Sequence, residues 1–581
     1  MFADRGTSSL KNRTFFLLST IVLLTAFSAA SVPAQNGGGS AVRPTRSETA
    51  TVPDAGVVTT DQIEDDFSEA LSVIEANYFG GKKLNYNDVV KTAIDSALHT
   101  LDPHSNYFDA KENEQFRVDQ SSRYFGIGAT IGDLSDEKGN VIATYIKATF
   151  DGAPANRAGL RYGDKIVEVN GVSMLGKPYP EVRNALRGPR GTIAKMVVEH
   201  LATGQRETVE ITRDAVAQPS ISEAYMIRPG VGYMAMRGGF NQTTYAEFVT
   251  GMRRLKSEGM QQLILDLRDN GGGLVGQAFY VAKTFLSSGQ TIFTQRGRLE
   301  GVTEPYRSDN RFPERVPLVV LVNRNTASAS EILSGALQDH DRALIVGEST
   351  FGKGLVQNPF QLDYGSMLLL TIAKYETPSG RLIQRDYSNG ELYNYYTEGG
   401  SLRDENDLNK HSGPASKTDT GRSVFSGGGI NPDVDVKPQT IPIERARIEN
   451  RMASPIFAFA MNLVTGRVKG FENYKIERPI LFDYDIKKTD YPVTQGLYNA
   501  YKQFAATNYK ISGAATDSER EFVERMLRTE LITAAFGSQT SQQVFNEYDT
   551  TLLRGIELLP QAKALAIEAM KARNTTPDPV N

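Results

Sequence analysis

A serine and a lysine that lie 25 residues apart have the types and the local settings that nucleophilic catalysis requires. Ser328 follows the apolar run "PLVVLVN" and stands where a helix is predicted to begin, so that free N–H groups can stabilise a developing negative charge. Lys353 stands between Gly352 and Gly354, which let the backbone approach closely. A buried lysine can stay neutral and replace histidine as a base, and Gln357 is placed to hold its amine by a hydrogen bond.

Two other interpretations of these stretches stay open at the level of local sequence. The run "GESTFGKG" has the spacing of a phosphate-binding loop, but Gly354 stands where a magnesium-binding Ser or Thr is needed. The residues that follow include Pro359 and alternate like a strand, so no nucleotide is expected, and a glycine-rich turn with a solvated lysine is the simpler alternative. The run Ser328-Ala329-Ser330-Glu331 matches a helix capping box, and local sequence alone favours a cap over a nucleophile.

Composition narrows the function classes. The chain has 581 residues, of which 40% are hydrophobic and 23% charged, which predicts a globular protein of several domains. A net charge of −4 without a basic block gives no indication of a nucleic-acid partner. Five histidines and no cysteine leave little material for a metal site, so no metal or cofactor is expected. His340 falls at a helix end and is predicted to be a surface or capping residue.

The first residues resemble an export signal. Lys11 and Arg13 precede the apolar run "TFFLLSTIVLLTAF", and small residues follow it. This pattern predicts a signal peptide at residues 1–34 and a protein of the periplasm or cell envelope, with an uncleaved membrane anchor as the alternative. A Gly/Ser/Pro-rich linker is predicted at 35–60.

The rest of the chain divides by its periodicity. Strands that alternate with helices, among them "QQLILDL", "PLVVLVN" and "RALIVGE", predict an α/β domain with a buried and largely parallel sheet. A polar stretch at 385–425 is predicted to be a loop. The predicted regions are helical at 61–118, β-rich at 119–215, α/β at 216–440, helical at 441–573 and disordered at 574–581.

Three motifs together resemble one family, the C-terminal processing peptidases or tail-specific proteases. They are "LILDLRDNGGG", "NRNTASASEILSGAL" and "VGESTFGKGLVQ", which occur in the family's order. The resemblance covers roughly residues 61–440. The resemblance implies a crotonase/ClpP-like core with an inserted PDZ domain. It implies that Ser328 is the nucleophile, Lys353 the general base and Gln357 the residue that orients the base. The oxyanion hole would use the N–H groups of Ala329 and Gly273.

The β-rich module is similar to PDZ domains. "RYFGIGATI" resembles their carboxylate-binding loop, and "APANRAGLRYGDKIVEVNG" resembles a later segment of these domains. Phe125, Gly126, Ile127 and Gly128 are therefore expected to bind a peptide's terminal carboxylate through backbone N–H groups, while the peptide adds as a strand to the sheet edge. A tight turn that needs these glycines is the alternative. The segment "LDPHSNYF", with His104, is expected to be structural.

The sequence therefore predicts a serine endopeptidase that binds the free C-termini of polypeptides and needs no nucleotide. The competing hypothesis is a protein of the same fold that binds peptides or hydrophobic ligands without cleaving them. The complete Ser328, Lys353 and Gln357 set favours the enzyme, because a pure binding protein has no use for it. The helical region after residue 441 is expected either to pack against the core or to form a homodimer, and a separate adaptor protein is compatible with the family.

Overall fold

A computed structural model describes residues 58–80, 83–299, 301, 303–388, 395–396 and 413–575. The predicted signal peptide, residues 35–57 of the predicted linker, much of the predicted 385–425 loop and residues 576–581 of the predicted tail lie outside the described residues. The chain divides into two compact units between residues 84 and 85. The described part of the first unit contains helix α1 (Thr60–Asn77), in which no residue is buried although the pattern of its apolar residues is amphipathic.

The second unit contains the remaining described elements. Its helices are α2 (Tyr86–His99), α3 (Ala110–Gln120), α4 (Pro154–Arg157), α5 (Tyr179–Leu186), α6 (Thr244–Ser257), α7 (Val275–Phe285), α8 (Ala329–Asp339), α9 (Ile443–Val464), α10 (Gln495–Tyr509), α11 (Gly513–Ser518), α12 (Arg520–Asn546), α13 (Thr550–Glu557) and α14 (Leu559–Thr575). Its strands are β1 (Asn106–Phe108), β2 (Arg123–Gly126), β3 (Ala129–Ser135), β4 (Val141–Thr149), β5 (Lys165–Val169), β6 (Val172–Ser173), β7 (Ile193–Glu199), β8 (Arg206–Thr212), β9 (Asp214–Ala217), β10 (Glu223–Arg228), β11 (Val231–Ala235), β12 (Gln262–Asp266), β13 (Thr291–Gly297), β14 (Glu304–Arg307), β15 (Leu318–Val322), β16 (Leu344–Gly347), β17 (Leu355–Gln361), β18 (Met367–Glu376), β19 (Ala415–Lys417), β20 (Ser423–Phe425) and β21 (Val434–Asp435).

The central sheet has the strand order β10-β11-β12-β15-β16-β21. All its neighbouring strands are parallel except β10 and β11. Every residue of β15 is buried, because successive side chains pack on opposite faces: Leu318 and Val320 against α6, α7 and α8, and Val319 against α13 and α14. This burial explains the continuous apolar runs in the sequence, which predicted a parallel sheet with both faces covered.

The C-terminal helices complete this core. α13 and α14 cover the second face of the central sheet, and α13 approaches so closely that a Cβ added to Gly555 would lie 2.9 Å from Cδ2 of Leu321. Polar contacts accompany the apolar ones: Arg268 forms an ion pair with Asp549 at 2.7 Å, and Nδ2 of Asn546 donates to Glu223 at 2.8 Å. Of the two expectations for the region after residue 441, packing against the core is the one that the structure shows.

A second sheet carries part of the candidate site. Its order is β1-β18-β13-β14, and β17 pairs with the same strand β18. In this arrangement Asn106 lies opposite Leu369 and Gln357 lies opposite Thr371, so the N-terminal segment and the strand after Lys353 flank one strand. The predicted loop at 385–425 was wrong in part, because β19 and β20 form an antiparallel hairpin within it.

The β-rich module forms its own sheet, β3-β4-β5-β7-β8, in which β3 is an edge strand. Two of the C-terminal helices, α9 and α12, pack against one face of this sheet and so connect the β-rich module to the C-terminal region. Lys147 lies at this interface: its Nζ contacts Glu530 at 2.5 Å and sits 3.3 Å from the centre of the Phe457 ring. The predicted α/β architecture with an inserted β-rich module and terminal helices is confirmed. Within the described residues, none of the helices combines the length and the apolar character needed to cross a bilayer.

Candidate active site

Ser328 stands in a strained turn between β15 and α8. Its backbone has φ 56° and ψ −117°, a conformation that non-glycine residues rarely adopt and that persists only where neighbours hold it. Two neighbours do so: the Glu331 carboxylate accepts the N–H of Ser328 at 2.8 Å, and the Tyr375 hydroxyl donates to its carbonyl at 3.1 Å. Ser328 therefore occupies the cap position that its sequence predicted, in a strained backbone that is typical of functional turns.

The same two side chains hold Lys353. Its N–H donates to the Glu331 carboxylate at 2.9 Å, and its carbonyl lies 3.1 Å from the Tyr375 hydroxyl, whose single hydrogen is shared between this carbonyl and that of Ser328. One buried carboxylate and one buried phenol thus each bind the backbones of both residues, which fixes Ser328 and Lys353 side by side. Glu331 also accepts the Gly352 N–H at 2.8 Å and the hydroxyl of Thr350, so its two oxygens receive four donors.

The amine of Lys353 is half-buried and oriented by Gln357. Nζ donates to Oε1 of Gln357 at 2.9 Å, and Nε2 of Gln357 donates to the carbonyl of His104 at 2.6 Å. Burial lowers the pKa of the Lys353 amine below its ordinary value, although the carboxylates of Asp102 and Glu331 act in the opposite direction. A neutral amine at moderate pH is what a lysine base requires.

His104 is no candidate for the base. Burial, together with the nearby Lys353 amine, lowers the pKa of His104 to about 3, so its ring stays neutral at ordinary pH. Its Nε2 is hydrogen-bonded to the hydroxyl of Tyr395 at 2.7 Å. The ring packs against three aromatic rings, those of Phe351, Tyr395 and Tyr396.

No hydrogen bond joins the hydroxyl of Ser328 to the amine of Lys353 among the described residues; the only one that Nζ makes there is with Gln357. Catalytic hydrogen bonds are often long in unliganded proteins and tighten once substrate is bound.

The glycine run after β12 lies directly against the start of α8. A Cβ added to Gly272 would stand 2.8 Å from Cβ of Ser328 and 3.0 Å from the nitrogen of Ala329. Asn270 organises this approach: its Oδ1 accepts the Gly272 N–H at 2.9 Å, and its carbonyl accepts the N–H of Ala327 at 3.0 Å. Within the described part of the chain, the N–H groups of Gly273 and Ala329 donate to no protein acceptor, which leaves both available for an oxyanion.

Replacing Gly272 by alanine is expected to lower both stability and activity. The backbone there has φ 97°, and the new Cβ would lie 2.7 Å from the carbonyl oxygen of Ala327. Strain and overpacking together cost about 1–3 kcal/mol. The adjacent Gly271→Ala is the matched control, because its Cβ would meet nothing within 4 Å. Thermal unfolding and turnover of both variants check this, and equal behaviour of the two would contradict it.

The predicted peptide-binding loop borders a groove. Ile127 and Gly128 join β2, which ends at Gly126, to β3, and their N–H groups donate to no acceptor within the described residues. The groove between β3 and α5 encloses about 210 Å³. Tyr124, Arg183, Leu186 and Arg187 are among the side chains that line it, whereas Phe125 is not.

Sequence reasoning missed several residues that organise the site. Asn270 stands within the motif "LILDLRDNGGG", and Glu331 was predicted only as part of a capping box, although its carboxylate binds the backbones of both Ser328 and Lys353. His340 was expected to be at the surface or at a cap. It is the C-cap of α8, which confirms the capping alternative, but it is only 8% exposed, and Asp419 and the carbonyl of Thr291 contact its two ring nitrogens.

Comparison with known proteins gives the family. Residues 230–389 match the model of peptidase family S41, and residues 147–200 match that of a PDZ domain. The chain is 38% identical over 275 residues to the chloroplastic carboxyl-terminal-processing peptidase 1 of Arabidopsis thaliana. The matched residues are 45% of this chain and 55% of that protein. It is 31% identical over 366 residues to the carboxy-terminal processing protease CtpA of Bacillus subtilis, which covers 63% of this chain and 74% of that protein.

Among solved structures, the photosystem II D1 C-terminal processing protease matches 66% of this chain and 95% of its own, with 27% identity and a TM-score of 0.34. The chain spans only about half of the Arabidopsis relative but about three quarters of the Bacillus one, and it carries both the peptidase and the PDZ match. The chain therefore belongs to the carboxyl-terminal-processing proteases, the PDZ-containing serine peptidases of family S41.

Proposed function

We propose that this protein is an endopeptidase in which Ser328 is the nucleophile and Lys353 the general base. The observation that carries the proposal is the shared support of these residues: Glu331 and Tyr375 each bind both backbones, beside an amine whose pKa is lowered. A binding protein of the same fold would need neither the strained serine nor the oriented amine. The competing hypothesis is therefore the weaker one.

The chemistry follows from the groups present. Neutral Nζ of Lys353 takes the proton of the Ser328 hydroxyl while Oγ bonds to the scissile carbonyl carbon. The carbonyl oxygen becomes negative and is held by the N–H groups of Gly273 and Ala329. When the carbon–nitrogen bond breaks, Lys353 returns its proton to the leaving amine. Water then attacks the ester carbon and gives a proton to Lys353. The bond between this carbon and Oγ breaks, Lys353 returns the proton to Oγ, and the cleaved chain leaves with a new C-terminal carboxyl group.

Substrate capture is assigned to the β-rich module. A polypeptide with a free C-terminus places its carboxylate on the N–H groups of Ile127 and Gly128 and pairs with the edge strand β3. The guanidinium groups of Arg183 and Arg187, which line the same groove, favour a negatively charged end. We place the substrates in the periplasm or cell envelope because the sequence of residues 1–34 predicts an export signal. A homodimer or an adaptor-bound form would act through the same two sites.

Labelling with a fluorophosphonate probe tests the nucleophile. The peptide that contains Ser328 is expected to become modified, increasingly so at alkaline pH where more of the Lys353 amine is neutral. Ser328→Ala is expected to lose both labelling and cleavage of an unfolded casein. Ser334→Ala is the matched control, since the hydroxyl of this buried serine of α8 contacts only carbonyls of its own helix, those of Ser330 and Glu331.

Cleavage by Ser328→Ala, or loss of labelling in Ser334→Ala, would reject the assignment.

The docking step is tested with a substrate peptide and its C-terminally amidated copy. KM is expected to be higher for the amidated peptide, because it lacks the terminal carboxylate. Comparing envelope protein C-termini with active and inactive enzyme then identifies the natural substrates.

A further inference from the structure

Asp102 closes a tight turn in the segment before β1. Its Oδ1 accepts the N–H groups of His104 and Ser105, each at 2.8 Å, and its Oδ2 accepts the Ser105 hydroxyl at 2.6 Å. Asp102 is buried and Ser105 is completely so. A buried carboxylate with three donors fixes the conformation of a turn firmly, because breaking any one bond leaves a buried polar group without a partner.

This turn is anchored to the strand that also holds Gln357. The Ser105 hydroxyl accepts the N–H of Thr371 at 3.1 Å. On the other side of the same strand, Gln357 is the registered partner of Thr371. The turn and Gln357 are thus placed relative to each other by one residue of β18, although 253 residues of chain separate His104 from Gln357.

The consequence appears at the amide of Gln357. Its NH₂ group donates to the carbonyl of His104, so its oxygen must face the amine of Lys353. The amine then donates a hydrogen to Gln357 and keeps its lone pair free. A reversed amide would point its NH₂ group at the amine, where it would occupy that lone pair and leave no base for Ser328.

We propose that Asp102 is a positioning residue of this site: it fixes the carbonyl of His104 and, through it, the orientation of the Gln357 amide. The proposal rests on the function proposed above for Ser328 and Lys353. Asp102 touches neither substrate nor nucleophile and acts through two intermediates.

The charge of Asp102 has a separate effect, which makes the two roles distinguishable. Its carboxylate favours the protonated form of Lys353, in opposition to burial. Among the described residues, Glu331 also favours the protonated form of the amine, and His104 interacts with it electrostatically. The charged or titratable groups beyond these are Tyr375, which hydrogen-bonds the carbonyl of Lys353, and Arg385, Tyr395 and Tyr396, which lie near His104. Asp102→Asn keeps an oxygen for the two N–H groups but removes the charge, whereas Asp102→Ala removes both.

The experiment combines kinetics with a titration of the amine. The Lys353 amine is titrated by competitive acetylation with acetic anhydride across a pH series, with mass spectrometry of its peptide, in active and Ser328→Ala backgrounds. Asp102→Asn is expected to shift the midpoint, and the acid limb of kcat/KM with it, to lower pH while keeping most of kcat. Asp102→Ala is expected to lower kcat on the order of 10²-fold with KM little changed, because the amine is misplaced.

Asp95→Asn is the matched control. Asp95 accepts the N–H of Tyr107 in the same N-terminal segment, away from Gln357, and is expected to leave the midpoint and kcat unchanged. Wild-type kcat in Asp102→Ala, or the same losses in Asp95→Asn, would each overturn the positioning role, whereas equal midpoints in wild type and Asp102→Asn would overturn the separate effect of the charge. If Asp102→Ala fails to fold, Asp102→Ser takes its place, because a serine hydroxyl accepts the N–H groups of such a turn only weakly; wild-type kcat in that variant would overturn the positioning role. If the wild-type protein cleaves no polypeptide, the proposed function fails, while the acetylation titration still reports on the amine.

Discussion

Replacing Lys353 by methionine is expected to lower kcat by about 10²- to 10⁴-fold while leaving the folded protein intact, because it removes the base and retains an apolar side chain of similar length. The half-buried amine contributes no ion pair among the described residues, so the fold does not depend on its charge. Lys374→Met is the matched control: Lys374 lies on β18 opposite Leu355, and it is exposed. Turnover by Lys353→Met at the wild-type rate would contradict the assignment of the base.

The same variant has a pH-dependent effect on stability. Burial lowers the pKa of Lys353 in the folded protein below its value in the unfolded chain. The lysine therefore lowers the free energy of unfolding. This effect is complete at pH values below the pKa in the folded protein, and it disappears as pH rises to the pKa in the unfolded chain, about 10.4. Lys353→Met is expected to be more stable than wild type at neutral pH and to lose this advantage in alkali. Thermal unfolding at a series of pH values measures the difference.

Glu331→Gln is expected to show the second largest effect. Each oxygen of this buried carboxylate accepts two hydrogen bonds. One oxygen receives the N–H groups of Ser328 and Lys353, and the other receives the hydroxyl of Thr350 and the N–H of Gly352. A glutamine amide replaces one acceptor with an NH₂ group that faces two donors, which costs about 1–3 kcal/mol. The new amide can be placed in two orientations, and in one of them its NH₂ group faces the N–H of Ser328, so the strained turn loses a hydrogen bond. We therefore expect kcat to fall on the order of 10²-fold as well.

Glu348→Gln separates stability from catalysis. Glu348 is also a buried carboxylate of this loop, but it pairs with Arg324 at 2.8 Å and contacts neither Ser328 nor Lys353. This variant is expected to unfold at a lower temperature with an unchanged kcat per labelled active site. If Glu331→Gln behaves in the same way, Glu331 only stabilises the fold and its role in joining the two halves of the site is wrong.

Much of the fold was predictable, because a strand that is buried on both faces of a sheet has an uninterrupted apolar sequence. The strand "PLVVLVN" is apolar throughout since its alternate side chains enter two different cores, and this pattern predicted the central parallel sheet correctly. The helices after residue 441 were also predictable as helices. Their contacts with the sheet were not, because an amphipathic helix shows that one face is covered but not what covers it.

The candidate site divides along the same line. Ser328, Lys353 and Gln357 could be named from their residue types and spacing, and their catalytic roles stay predictions until the variants are made. The support of the two backbones by Tyr375 could not be named, because nothing local distinguishes a tyrosine in a strand that donates to two distant carbonyls from one that fills space.

By itself the sequence determined the chemical groups, the order of the elements and the family resemblance, because all three depend on residues that are near neighbours in the chain. Only the tertiary structure decided how those groups are held: that one carboxylate joins Ser328 to Lys353, and that a turn at Asp102 faces Gln357 across β18. Hydrogen bonds between residues far apart in the chain leave no periodic pattern, since they depend on where the packed sheets bring two backbones together.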